Sequence, residues 1–424
     1  MEKTPKSLRI QIGIFGRTNV GKSSFLNMIT GQDISIISEI AGTTTDVVEK
    51  PMELLPIGPV LFLDTAGLDD TSELSLQRIK KTEKIFDRAD VFVVIIEPNI
   101  WTEYEEKIVE IAKSKNVNVI IVINKCDIVK PKEDFINLCK DKSVYLMQCC
   151  SNNKAERDIY VTEFKKMLLM AIKLDNERKI VSDLVSKNGF AILIIPIDKE
   201  APKGRIILPQ VQTIRELLDN GSAALVVREQ EYPVMLEKIK STPDLVVCDS
   251  QVVDKMVFDT PKHIKCTTFS ILFSKFKGDL KYQAFSTAKI LLLKDGDRVL
   301  IAEACTHHAI EDDIGRVKIP ALLKEFTKKN IKIEIASGRD YPDNLSDYSL
   351  IIHCGSCMLT KRETIARINK AKEKNIPITN YGLCISFLKG VLERVLEPFP
   401  EALKAYNSSK NSLEQENNLC KQKY

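Results

Sequence analysis

Two stretches of the 424-residue chain combine residue types that do chemistry. The first is FGRTNVGKSS, residues 15–24. Gly16, Gly21, Lys22 and Ser23 fit the spacing G-x-x-x-x-G-K-[ST], and Ser24 follows. Glycines at those places let backbone N–H groups wrap around phosphate oxygens, and a helix N-terminus adds positive potential. Lys22 would reach the β- and γ-phosphates, and the Ser23 hydroxyl would bind Mg²⁺. The second stretch is IIHCGSCMLT, residues 351–360. His353, Cys354 and Cys357 form H-C-x-x-C, a spacing that lets two thiolates grip one metal centre without chain strain.

The phosphate loop leaves the base open, and NKCD at residues 124–127 decides it. The Asp127 carboxylate would accept from the ring N–H and amino group of guanine, a donor pair that adenine lacks. Asn124 and Lys125 would brace the base and its loop. DTAG at 64–67 supplies Asp64, placed to hold Mg²⁺ through water, and Gly67 beside the reacting phosphate. GTTTD at 42–46 falls where a mobile loop should bring Thr44 onto the metal. Four such motifs in this order indicate GTP hydrolysis.

The details resemble the potassium-activated branch of translation-factor-like GTPases. In that branch an Asn at the place of Asn19 helps bind K⁺ beside the phosphates, and Thr44 matches the switch threonine. Leu68 stands where Ras-like enzymes place Gln, so the resemblance implies weak intrinsic positioning of water. Glu73 is a minor candidate for that task.

A second metal-binding pattern lies upstream of H-C-x-x-C. Cys305 and His307, in EACTHHAIEDD, form C-x-H. Both clusters follow strand-like runs, RVLIAEA and YSLIIH. Parallel neighbouring strands would bring their ends to one sheet edge, where open α/β folds place their sites. The spacing alone fits structural Zn²⁺ on a Cys₃His set. It also fits an iron–sulfur cluster on three Cys and a fourth ligand of another kind.

The elements needed to position these residues are legible as strand–helix alternation. RIQIGIF, VLFLDTA, VFVVIIE and VNVIIVINK have the texture of buried parallel strands, separated by charged helical stretches. The fold expected is α/β: a P-loop GTPase domain over 1–173, a linker over 174–188, and two smaller α/β domains over 189–268 and 269–406. A polar tail is expected over 407–424.

Lys plus Arg number 62 against 58 Asp plus Glu, which argues against a nucleic-acid or membrane-surface protein. The chain shows no leader and no apolar run of membrane length, so a cytoplasmic protein is expected. Eleven cysteines without an export signal suggest metal binding or burial rather than disulfides. Cys126 reads as a spacer in NKCD, and Cys248 and Cys266 read as buried. Cys149, Cys150 and Ser151 fall where related GTPases keep a Ser-Ala loop near the base.

A GTPase followed by C-x-H and H-C-x-x-C resembles the HydF family of [FeFe]-hydrogenase maturation GTPases. The resemblance runs on through PKGRIILPQVQTIRELLDNG (202–221), CTHHAIEDDIGRVKIPALL (305–323) and NYG (380–382). It implies a [4Fe-4S] cluster on Cys305, Cys354 and Cys357, with an exchangeable fourth position. His307, His353 or an acid such as Asp312 would fill that position. It also implies a homodimer formed by the middle domain. The chain would be a scaffold that accepts a two-iron precursor, works with radical-SAM maturases and delivers to apo-[FeFe]-hydrogenase. The alternative is a potassium-activated RNA-modification or ribosome-assembly GTPase with a structural zinc module.

Overall fold

The computed structural model describes residues 4–31, 48–64, 84–172, 178–197, 206–304, 313–338, 341–342 and 344–421. The chain forms two compact units, 1–175 and 176–424.

The first unit is built on a six-stranded sheet in the order β2-β3-β1-β4-β5-β6. Its strands are β1 (Ile10–Phe15), β2 (Val48–Leu54), β3 (Gly58–Asp64), β4 (Val91–Ile96), β5 (Asn118–Ile123) and β6 (Tyr145–Gln148). All pairings are parallel except β2 with β3. Alternate residues of each strand feed different cores. Ile12, Ile14 and Val93 pack with Phe25 and Phe164 on one face. Phe15, Leu63 and Val94 pack with Phe86 and Ile108 on the other. Burial on both faces is why these strands read as unbroken apolar runs.

The second unit holds two parallel four-stranded sheets. One has the order β10-β9-β7-β8, from β7 (Phe190–Ile194), β8 (Ala223–Val227), β9 (Leu245–Cys248) and β10 (Cys266–Thr268). The other has the order β12-β11-β13-β14, from β11 (Arg298–Ala302), β12 (Lys332–Ala336), β13 (Leu350–His353) and β14 (Ile378–Asn380). A single apolar cluster runs through both. Leu193, Val247 and Cys266 of the first sheet share it with Val299 and Ile352 of the second, and Leu383 joins from the helix Tyr381–Leu388.

Three boundaries differ from the sequence expectation. The expected linker 174–188 contributes Ile180, Val181 and Val185 to that core. The Glu216 carboxylate accepts the N–H groups of Ile180, Val181 and Ser182 at 2.9–3.0 Å, which fixes the segment in place. The expected break after 268 falls inside a helix cap, because Thr268 Oγ1 accepts the Ile271 N–H of the helix Phe269–Lys277. The expected polar tail is part of the helix Pro400–Lys421, which buries Leu413. One apolar residue per few turns was too sparse a pattern to reveal a packed face.

Among the described residues no helix is long and apolar enough to cross a membrane. Leu413→Ala should lower the unfolding free energy of the second unit by about 2–5 kcal/mol. Chemical denaturation of both variants measures this, and a loss below about 0.5 kcal/mol would place Leu413 outside the core.

Candidate functional site

At the first site, parallel pairing brings the ends of β1, β3, β5 and β6 to one edge of the sheet. Gly16 follows β1, Asp64 ends β3, Asn124 follows β5 and Cys149 follows β6. The phosphate loop, residues 16–21, then turns into the helix Lys22–Thr30. Gly21 sits at φ 96°, and a Cβ there would lie 2.3 Å from Asn124 Nδ2. Glycine is therefore required both for its backbone angle and for its lack of bulk. Asn19, also left-handed at φ 66°, is exposed on the loop. Ser23 and Ser24 lie in the first turn of the helix.

Asn124 ties three loops together. Its Nδ2 donates to Val20 O at 3.0 Å. Its Oδ1 accepts from Ser151 N at 3.0 Å and from Ser151 Oγ at 2.8 Å. Lys125 adopts φ 62° and pairs with Glu97 at 2.6 Å. Asp127 is exposed beside Cys150. Burial raises the Cys150 thiol pKa, and a hydrogen bond with Asp127 raises it further. Cys149 is pushed up to about 12, chiefly by burial.

Lys22 Nζ folds back onto the carbonyls of Gly16 (2.6 Å) and Arg17 (2.8 Å). Arg17 in turn pairs with buried Glu105 at 2.8 Å, which anchors the loop to the helix Glu103–Ser114. Asp64 is buried, and desolvation raises its pKa against the opposing fields of Lys22 and Lys50. Its Oδ1 makes no hydrogen bond. A buried carboxylate oxygen with no donor is what an Mg²⁺-water ligand would need. Thr44 and Gly67 lie outside the described residues, as do Leu68 and Glu73.

At the second site, β11 and β13 pair in parallel with Ala302 opposite His353. The Cys354 N–H donates to Ala302 O at 2.9 Å, and the Ala304 N–H points back onto Cys354 Sγ at 3.1 Å. The turn Gly355–Leu359 continues through Ser356 at φ 57°. Thr360 and Glu363 then form a capping box that starts the helix Lys361–Glu373. Burial pushes the Cys354 thiol up to about 11 and raises that of Cys357, which Lys277 partly offsets. Metal binding here would release thiol protons.

His353 does not stand as a free ligand. It is 2% exposed, and Arg367 Nη1 donates to its Nε2 at 3.2 Å. Its Nδ1 lies 2.9 Å from Cys354 O, so the proton belongs on Nδ1. Burial, then Arg367, pushes its pKa down to about 3, which keeps the ring neutral. Both nitrogens are engaged within the protein. Cys305, His307 and Asp312 lie outside the described residues. The sequence places Cys305 directly after Ala304, whose N–H touches the Cys354 sulfur. Among the described residues no three His, Cys, Asp or Glu side chains gather as a metal site.

Two residues here escaped the sequence reading. Arg367 bridges His353 and Gly338 O (2.8 Å) from the helix Lys361–Glu373. Lys277, at the end of the helix Phe269–Lys277, is buried beneath the cysteine loop. Burial pulls Lys277 down to about 8, against the fields of Cys357, Glu363 and Cys354. A basic residue ending a helix before a Gly looks like an ordinary C-terminal charge, so no local signal marked it.

Residues 180–278 match the family described as Hydrogen maturase F dimerization domain. Residues 281–398 match the Hydrogen maturase F tetramerization domain. Together these two matches span just over half of the chain. The chain belongs to the HydF family. The GTPase part of this HydF chain, residues 11–125, matches the 50S ribosome-binding GTPase family. That part is similar to GTPase Der of Campylobacter concisus, 39% identical over 141 residues, 32% of this chain and 30% of that one. It is also similar to the tRNA modification GTPase MnmE of a Synechococcus strain, 38% identical over 125 residues, 29% of this chain and 27% of that one. The chain thus spans about a third of the length of the curated relatives it matches. The solved structure of Era from Aquifex aeolicus covers 78% of this chain and 94% of its own, at 18% identity and a TM-score of 0.33. The chain is a P-loop GTPase domain followed by further α/β sheets, and the GTPase domain binds GTP.

Asp127→Asn should exchange preference for guanine for preference for xanthine, because an amide offers a donor to the 2-oxo group of xanthine. Competition between GTP and XTP measures this, and an unchanged preference for GTP would remove Asp127 from base reading.

Proposed function

We propose that this chain is a GTP-hydrolysing iron–sulfur scaffold for [FeFe]-hydrogenase assembly. It receives the two-iron precursor of the hydrogenase cluster from radical-SAM maturases and passes it to apo-hydrogenase. The observation that carries this reading is the β11–β13 register. It sets two cysteines of one turn beside the strand end that leads into Cys305, in a chain that also holds a GTPase site.

The residues fit a [4Fe-4S] cluster on three counts. Cys354 and Cys357 share one turn at the carboxyl edge of a parallel sheet. A backbone N–H is aimed at the Cys354 sulfur, as cluster thiolates require. A buried cation lies under the same turn. Cys305, Cys354 and Cys357 would hold the cluster. When bound, the cluster would supply one iron that carries no cysteine and can exchange its ligand. The protein keeps that iron open by withholding His353, whose nitrogens are committed to Arg367 and to Cys354 O. His307 and Asp312 remain proposed fourth ligands.

In the GTPase domain, Lys22 would leave the loop carbonyls for the phosphates, and Ser23, Thr44 and Asp64 would hold Mg²⁺. Gly67 would sit beside the reacting phosphate. Asn19 would help bind K⁺, whose charge stands in for an arginine finger. Thr44 and its loop would order with GTP and relax after hydrolysis, gating exchange of partners. The names of the two hydrogen-maturase domains support self-association, and we assign a homodimer to residues 180–278.

Anaerobic reconstitution tests the scaffold. Wild-type protein should hold four irons per chain, as expected for a cubane, and give an EPR signal on reduction. Cys354→Ala should lose the iron yet hydrolyse GTP at the wild-type rate. Colourless protein carrying stoichiometric zinc would sink the scaffold reading and favour a structural zinc module. Replacing K⁺ by Na⁺ should slow GTP hydrolysis by about tenfold or more. Equal rates in the two salts would take K⁺ away from Asn19.

A further inference from the structure

The helix Phe269–Lys277 ends on a lysine that does not reach solvent: Lys277 is 2% exposed. Its Nζ donates to three carbonyls of a single turn: Leu359 O at 2.9 Å, Ser356 O at 3.2 Å and Cys357 O at 3.5 Å. The ammonium also lies 5.7 Å from the centre of the Phe273 ring. Among the described residues no carboxylate forms an ion pair with it. Glu363, the acid whose field reaches it, spends its oxygen on the N–H and hydroxyl of Thr360.

A buried ammonium without a carboxylate costs several kcal/mol even after relaxation. Three carbonyl dipoles lessen that cost without cancelling the charge. A neutral donor could have satisfied such carbonyls without bringing a charge into the interior. The turn that holds the ammonium is the one that carries Cys354 and Cys357. Its missing negative partner is therefore the thiolate pair itself. A cluster held by three cysteinates is an anion, and it gains one more negative charge on reduction.

We propose that Lys277 is the built-in counter-charge of the cysteine site: it shapes the Ser356–Leu359 turn, and its field favours the reduced state of a cluster bound to Cys354 and Cys357. This rests on the reading of Cys354 and Cys357 as cluster ligands. Lys277 is a positioning residue with an electrostatic effect, and it makes no bond to iron. In reduction, one electron passes from a low-potential reductant to the cluster. No bond to Lys277 forms or breaks, and no proton leaves it.

The test compares full-length wild type, Lys277→Met and Lys277→Arg, each reconstituted anaerobically with ferrous iron and sulfide. Iron per chain, GTP turnover and the midpoint potential from an EPR-monitored dithionite titration are read for each. The Met variant should bind iron at a more negative potential, and the Arg variant should return towards the wild-type value. GTP turnover should be the same in all three, and matching thermal unfolding of residues 176–424 reports that the mutated unit is folded. An iron-loaded Met variant at the wild-type potential overturns the inference and leaves the ligand reading standing. Wild-type protein that binds no iron overturns the ligand reading and the inference together. If the Met variant retains no cluster, Co²⁺ alone serves as the probe through its thiolate charge-transfer band. Affinity for Co²⁺ should then fall by about tenfold or more, with Arg restoring part of it. Equal Co²⁺ affinities in wild type and Met variant overturn the proposal.

Discussion

The parallel pairing of Ala302 with His353 is the constraint on which the second half of the molecule depends. Parallel strands end on the same side, so two segments far apart in sequence deliver their following residues to one place. The pairing puts the Ala304 N–H on the Cys354 sulfur and sets where Cys305 enters. A register slip of one residue would turn His353 out of the core and carry the first cysteine across the sheet. The same geometry acts in the GTPase domain. There Asn124, at the end of β5, is close enough to Val20 and Ser151 to lace the phosphate loop to the base loop.

What was legible in the sequence is what depends on local spacing. The phosphate loop, N-K-x-D and C-x-x-C are short patterns whose chemistry follows from neighbours along the chain. The strands that precede them were also visible, because burial on both faces leaves an uninterrupted apolar run. Lys277 and Arg367 were not visible, since their roles depend on residues 79 and 14 positions away. The contact of His353 with Arg367 was hidden for the same reason. Adjacent to Cys354 in sequence, His353 reads as a ligand, and its ring faces inwards to a guanidinium. The segment around Ile180 read as a linker because its anchor, the Glu216 carboxylate, is 36 residues distant. Its polar composition reflects backbone groups that are satisfied by a side chain rather than by a ladder.

Charge is distributed with a purpose that the near-neutral total conceals. Asp64 lies between Lys22 and Lys50 in one unit. In the other, Lys277 and Arg367 flank the cysteine turn, each from a different helix. These buried groups are costly when alone and become favourable when an ion or anion of opposite sign arrives. Hydrogen bonds to carbonyls hold Lys22 at one site and Lys277 and Arg367 at the other.

The single apolar cluster that unites the two sheets of residues 176–424 has a consequence for how far the chain can be divided. Two family regions abut there, near residue 280, yet neither owns its interior. A fragment cut at that seam would bare the flank of a common hydrophobic mass and precipitate. The two regions therefore gain or lose their stability together, as one cooperative body.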